Sequence, residues 1–139
     1  MPETVREVMT AKPLALQEGT TLAEAARAMR DHDVGDVVLL KDDQVTGIVT
    51  DRDMVVRGVA ESMHPDEAVL AQVASKELVT VSPDASVDEA VELMRQRAIR
   101  RLPVVEDGRP VGIVSLGDLA VEEDPQSALA DISAADPNR

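Results

Sequence analysis

The chain has 139 residues, 44% hydrophobic and 29% charged, with a formal charge of −13 and no Cys, Trp, Tyr or Phe. That composition excludes a disulfide framework, a thiolate nucleophile and a cysteine zinc site. With no apolar run near the ~20 residues that cross a bilayer, and no apolar leader at the N-terminus, it predicts a soluble, cytoplasmic protein that meets no membrane. Acidity of this order repels nucleic-acid phosphate and the missing aromatics remove stacking platforms, so no nucleic-acid partner is expected.

In chain order, the first element is a short extended stretch, Leu14-Ala15-Leu16. Thr21-x-x-Glu24 then reads as a capping box, and Leu22, Ala25, Ala26 and Met29 fall on one helical face behind it. Two β-branched runs, Val37–Leu40 and Val45–Val49, flank the polar turn Lys41-Asp42-Asp43-Gln44 and predict a hairpin. A helix is expected from Asp53, its carboxylate near the positive helix end. Residues 55–72 connect onward, with His64-Pro65-Asp66-Glu67 marking a helix start.

The pattern then recurs. Val79-Thr80-Val81 is extended, and Ser86-x-x-Glu89 opens a helix with Val87, Ala90, Val91 and Met94 on one face. Leu102–Val105 and Val111–Val114 flank Glu106-Asp107-Gly108-Arg109, and a helix is expected from Asp118. A constant shift of 65 superposes residues 5–54 on 70–119 without a gap and makes ten positions identical, among them Glu24/Glu89, Met29/Met94, Gly47/Gly112 and Asp53/Asp118. Such self-similarity defines the architecture. The expected fold is α+β, two pseudo-symmetric β-α-β-β-α repeats packed through their sheets, because roughly 50 residues bury too little surface alone. The tail 120–139 carries Glu122, Glu123, Asp124, Asp131 and Asp136 against Arg139; Ala128, Leu129 and Ile132 suit a short docking helix or a loose end.

Val8-Met9-Thr10, the Ala-rich helix ending in Met-Arg, Arg101-Leu102-Pro103-Val104-Val105, and Gly-Ile-Val-Thr/Ser-x-x-Asp in both copies are the residues of a known pattern. Over residues 5–120 the chain resembles a tandem pair of CBS domains, a Bateman module. Repeat 1 spans 1–60, a connecting segment 61–72, repeat 2 spans 73–122, and an acidic tail 123–139. The resemblance implies a regulatory adenine-nucleotide sensor, binding AMP, ADP, ATP or S-adenosylmethionine in clefts between the repeats and acting through a conformational or dimer change. It also implies homodimers and an effector protein that reads them. The alternative is a CBS scaffold that binds no ligand, dimerises and docks on an effector.

In that family the Asp of the motif holds the ribose hydroxyls and the Thr or Ser assists at ribose or phosphate, which implies Thr50 with Asp53 and Ser115 with Asp118. A carboxylate suits a vicinal diol because it only accepts hydrogen bonds. The same Asp residues also suit plain helix caps. Before the hairpin the second copy has Arg100-Arg101 where the first has Gly35-Asp36, so the second pocket is expected to take phosphate better. Exposed arginines also occur without any ligand. With no aromatic to stack on, adenine is expected against aliphatic surface at Leu14, Val34, Val79 and Ile99, each of which suits ordinary core as well. No catalytic set and no metal site are expected: His32 and His64 are the only histidines, absent from the second copy, and no phosphate-cradling glycine loop occurs. An adenosine-containing nucleotide is expected as a regulatory ligand, not as a catalytic cofactor.

Overall fold

The computed structural model describes residues 4–75 and 77–123, with side chains placed through 119. The apolar tail positions Ala128, Leu129 and Ile132 lie outside the described residues. The elements are α1 (Val5–Val8), β1 (Thr10–Ala11), β2 (Ala15–Gln17), α2 (Leu22–His32), β3 (Asp36–Lys41), β4 (Gln44–Thr50), α3 (Asp51–Asp53), α4 (Val87–Arg97), β5 (Arg101–Glu106), β6 (Arg109–Ser115) and α5 (Leu116–Glu123). A π-helical turn, Met54–Val59, continues α3, and a 3-10 turn covers Leu70–Gln72. The fold is mixed α+β with two three-stranded sheets, ordered β2-β3-β4 and β1-β6-β5.

The chain divides into two compact units. The first comprises Pro13–Val79 with Gly108–Pro110. Its sheet pairs β2 with β3 in parallel and β3 with β4 antiparallel, with a register shift between Leu39 and Leu40. Val37, Val38 and Leu39 are all buried, so β3 has no solvent face. The hairpin turns tightly because Asp42 and Asp43 both adopt left-handed φ, 52° and 63°, which Asp tolerates through its short polar side chain. Against this sheet lie Leu22, Ala25 and Met29 of α2, as their spacing predicts; Ala26 of the expected face is exposed.

Among the described residues the second unit comprises 4–12, 80–107 and 111–123. Val87, Ala90 and Met94 of α4 are buried, as are Leu102 and Val104 of β5. Its first strand is reduced to one parallel bridge, Val81 to Val104, the counterpart of Leu16 to Leu39.

Each unit takes its leading turn from the other sequence copy. Val5 and Arg6 donate backbone N–H groups to Ala85 and Pro83 (both 2.9 Å), while Leu70 and Ala71 donate to Thr20 and Glu18 (2.9 and 3.0 Å). These are the same bonds displaced by 65 residues. Val5 and Val8 are buried in one unit, and Leu70 and Val73 in the core of the other.

Three expected helix starts are corrected. At His64 the chain makes a single turn, with Glu67 and Ala68 N–H bonded to the His64 carbonyl (3.0 and 2.8 Å). Continuation as helix is prevented because Val69 bridges Thr21 and Leu70 is drawn into the core. The helices expected from Asp53 and Asp118 begin earlier, at Asp51 and Leu116. Thr50 and Ser115 are the capping residues and the aspartates sit three positions inside. At Thr21 the hydroxyl accepts from Glu24 N–H (3.2 Å), but the Glu24 carboxylate takes the Thr21 hydroxyl instead of a backbone N–H, so the expected box is half made.

Candidate functional site

In both copies the Gly-Ile-Val strand delivers a hydroxyl residue to the mouth of a helix, and that residue is locked to the aspartate by two reciprocal bonds. Thr50 N–H donates to Asp53 Oδ2 (2.9 Å) and Asp53 N–H to Thr50 Oγ1 (3.1 Å). Ser115 N–H donates to Asp118 Oδ2 (3.1 Å) and Asp118 N–H to Ser115 Oγ (3.0 Å). All four residues are half-buried. Each box occupies one carboxylate oxygen and leaves Oδ1 outside it, an acceptor already oriented without any ligand.

The residue before each hairpin is fixed to the same helix mouth. Leu116 N–H donates to the Arg100 carbonyl (2.8 Å), and Asp51 N–H to the Gly35 carbonyl (2.9 Å). Identical backbone geometry carries opposite chemistry. A Cβ at Gly35 would stand 2.9 Å from Asp51 Oδ2, so the acid of the first copy fills space that a side chain at 35 would need. In the second copy the aligned pair is Leu116 and Arg100, so an arginine stands where the first copy has glycine and a leucine where it has aspartate. From the end of α4 into β5, residues 95–101 carry four arginines and no acid; from the end of α2, residues 30–36 carry one arginine and three aspartates.

The structure therefore brings Ser115, Asp118, Arg100 and the start of β5 at Arg101 to one helix mouth, and Thr50 and Asp53 to another. The aliphatic candidates separate. Ile99 and Arg100 line a cleft of about 350 Å³ between α4 and α5, with Met94, Arg95, Leu116 and Leu119. Leu14 packs against the first unit's core, its carbonyl accepting from Val38 N–H (2.9 Å). Val34 is exposed just beyond α2, and Val79 is half-buried ahead of the bridging residue Val81.

Sequence reasoning missed Asp51 and Leu116, although the shift of 65 aligns them and their contrast was readable there. Among the described residues no group of three or more His, Asp or Glu side chains could hold a metal ion. His32 Nδ1 lies 2.9 Å from the Ala28 carbonyl, and His64 Nδ1 accepts from Asp66 N–H (3.2 Å). Among the described residues no helix is long and apolar enough to cross a membrane.

Comparison with known proteins follows the same two-copy division. Residues 5–58 and 70–123 each match the CBS domain family. The CBS domain-containing protein YhcV of Bacillus subtilis is 38% identical over 133 residues, 93% of this chain and 94% of that protein. Hypoxic response protein 1 of Mycobacterium tuberculosis is 36% identical over 118 residues, 84% of this chain and 82% of that protein. The crystal structure of Hypoxic Response Protein I with two coordinated zinc ions is similar with a TM-score of 0.77, at 36% identity, covering 86% of this chain and 98% of that one. A CBS-domain protein of Burkholderia ambifaria assigned to signal transduction matches with a TM-score of 0.77 at 25% identity, over 89% of this chain and 96% of that one.

Proposed function

The chain belongs to the CBS-domain family, whose members are of a regulatory type, and we propose that this protein is an adenine-nucleotide sensor. AMP, ADP, ATP or S-adenosylmethionine binds at the Thr/Ser-x-x-Asp motifs and shifts a conformational or dimer equilibrium that an effector protein reads. A ligand moves such an equilibrium only by its differential affinity for the two states. One observation carries the reading: the Ser115–Asp118 box fixes a carboxylate with one oxygen outside it at a helix mouth where Arg100 and Arg101 stand.

The division of labour follows from the chemistry. Asp118 Oδ1 accepts from the ribose hydroxyls, Ser115 stands beside them, and the first free N–H groups of α5 favour a phosphate. Arg101, half-buried at the start of β5, supplies the forked donor to phosphate. In the first copy Thr50 and Asp53 repeat the ribose-binding pair, but Asp51 and Asp36 repel phosphate, so that site takes the weaker or less charged ligand. Adenine lies on aliphatic surface, from the set Leu14, Val34, Val79 and Ile99.

A second reading rests on the boxes themselves. Both aspartates complete a helix cap, and a cap needs no ligand. On that reading the protein is a scaffold that dimerises and docks on an effector. One experiment separates the two. The purified protein is denatured, and the released small molecules are separated and read in the adenine absorption band. With no Trp, Tyr or Phe the chain contributes almost nothing there. Released adenine nucleotide supports the sensor. No release, followed by no heat on titration with the four ligands, leaves the scaffold.

A further inference from the structure

We infer that residues 4–11, which belong to the first repeat in sequence, form a strap that positions the second ligand site, with Met9 as the positioning residue, on the reading that the Ser115–Asp118 box is that site. The two sites are thereby unequal: only the second is wedged and latched by the strap that serves it.

The strap is tied down along its length. Thr4 bridges Ser86, the cap of α4, and Val5 and Arg6 donate N–H groups to Ala85 and Pro83 (both 2.9 Å). Val5 and Val8 are buried. The Arg6 guanidinium pairs with Glu106 at the end of β5 (2.9 Å) and with Asp84 (3.5 Å). Met9 N–H donates to the Val5 carbonyl (2.9 Å), which closes α1 and turns the chain into β1. There Thr10 lies opposite Ile113 and Ala11 opposite Gly112.

β6 is the strand that delivers Ser115. It is held between β1 and β5, and the Met9 thioether lies so close over Gly112 that a Cβ there would stand 2.5 Å from Sδ. Ile113 and Val114, between this wedge and the box, are buried. A strand fixed on both edges presents the Ser115 N–H and hydroxyl in one orientation, so less freedom is lost when a ligand binds.

The shift of 65 shows what the first copy lacks. Val5 and Val8 correspond to Leu70 and Val73, which are buried as well, so the anchors are common to both. Met9 corresponds to Ala74, too short to act as a wedge. Arg6 corresponds to Ala71, and its partners Glu106 and Asp84 to Lys41 and Gly19, so the latch is missing too. Among the described residues β4 pairs only with β3, and a Cβ at Gly47 would have 3.8 Å to its nearest neighbour. Loosening the strap therefore weakens the second site and spares the first.

Amide hydrogen exchange in the full chain tests this without a ligand, because Ser115 and Asp118 N–H are the two donors of the box. Met9→Ala is expected to speed exchange at Ser115 and Asp118 by about tenfold and leave Thr50 and Asp53 unchanged. Met9→Leu, close in volume, is expected to restore the slow rates. Arg6→Ala removes an exposed ion pair without touching the core and is expected to act in the same direction by about two- to threefold. AMP affinity is expected to fall in Met9→Ala and to recover in Met9→Leu. Equal acceleration at all four amides, or at none, overturns the positioning role, as does AMP binding that Met9→Ala leaves unchanged. Acceleration confined to Ser115 and Asp118, in a protein whose unaltered form binds none of the four nucleotides, keeps the strap as the brace of the box and overturns the sensor instead.

Discussion

Asp118 and Ser115 hold one another by two backbone-to-side-chain bonds, Ser115 N–H to Asp118 Oδ2 at 3.1 Å and Asp118 N–H to Ser115 Oγ at 3.0 Å. The carboxylate is thus both a structural cap and an oriented acceptor, and substitutions can separate the two roles. Asp118→Asn keeps an oxygen for the Ser115 N–H but loses the charge. It is expected to leave thermal stability nearly unchanged and weaken nucleotide binding about tenfold, the difference between a charge-assisted and a neutral hydrogen bond. Asp118→Ala additionally costs about 1 kcal/mol of stability through the lost cap. Melting curves and calorimetric titrations read both. Unchanged affinity in both variants would assign Asp118 to the cap alone.

Arg100 and Arg101, at the entry to β5, are the arginines that distinguish the second mouth. Arg101→Ala is expected to weaken AMP and ATP more than adenosine, because only phosphate uses the guanidinium. Arg100→Ala, at the same helix mouth, is expected to weaken AMP and ATP more than adenosine as well. Equal loss of adenosine, AMP and ATP in Arg101→Ala would remove the phosphate role.

The paired glycines of the repeated motif are not equally replaceable. A Cβ at Gly112 would lie 2.5 Å from Met9 Sδ and 2.9 Å from the Thr10 carbonyl, which belongs to the paired strand β1. At Gly47 the nearest atoms are Leu39 Cδ1 at 3.8 Å and the Ser75 carbonyl at 4.0 Å. Gly112→Ala is expected to destabilise by about 1–3 kcal/mol through overpacking, and Gly47→Ala by less. Denaturant titration of the two variants gives the comparison.

Ala98 ends α4 in the left-handed region, φ 54° and ψ 43°, where a Cβ is unfavourable. Ala98→Gly is expected to raise stability by about 1 kcal/mol. At the matching position Asp33 has φ 53°, which its side chain tolerates better, so Asp33→Gly is expected to gain less. A destabilised Ala98→Gly would contradict the strain.

Leu70, from the segment read in sequence as a connector, is fully buried in the core with Leu22, Met29 and Val49. Leu70→Ala is expected to cost about 2–5 kcal/mol, measured by chemical denaturation. A cost no larger than that of an exposed position would contradict its place in the core.

The hairpins and the two long helices were legible because their signals are local: alternating β-branched runs around Asp turns, and apolar residues three and four apart. Leu22, Ala25 and Met29 went where spacing put them, and so did Val87, Ala90 and Met94. The destination of α1 was not legible. Val5 and Leu70 are aligned by the repeat, but alignment does not say which copy's core receives each, and the bonds of Val5 to Ala85 and Leu70 to Thr20 cross between copies. Within the site, Thr50, Asp53, Ser115 and Asp118 were found by their repetition. Their aspartates were misplaced as helix starts because a Thr/Ser-x-x-Asp spacing fits both a cap opening at the Asp and a box closing on it. The approach of Asp51 to Gly35 escaped notice because it depends on the turn from β4 into α3.

Adenine-nucleotide binding at the Ser115–Asp118 mouth is the step on which the sensor depends. The most direct measurement is calorimetric titration of the intact protein, stripped of any bound small molecule, with AMP, ADP, ATP and S-adenosylmethionine, alongside Asp118→Asn. Saturable heat is expected with at least one of the four, and a clearly weaker isotherm in the variant. No heat with any of them would contradict it, as would binding that Asp118→Asn leaves unchanged.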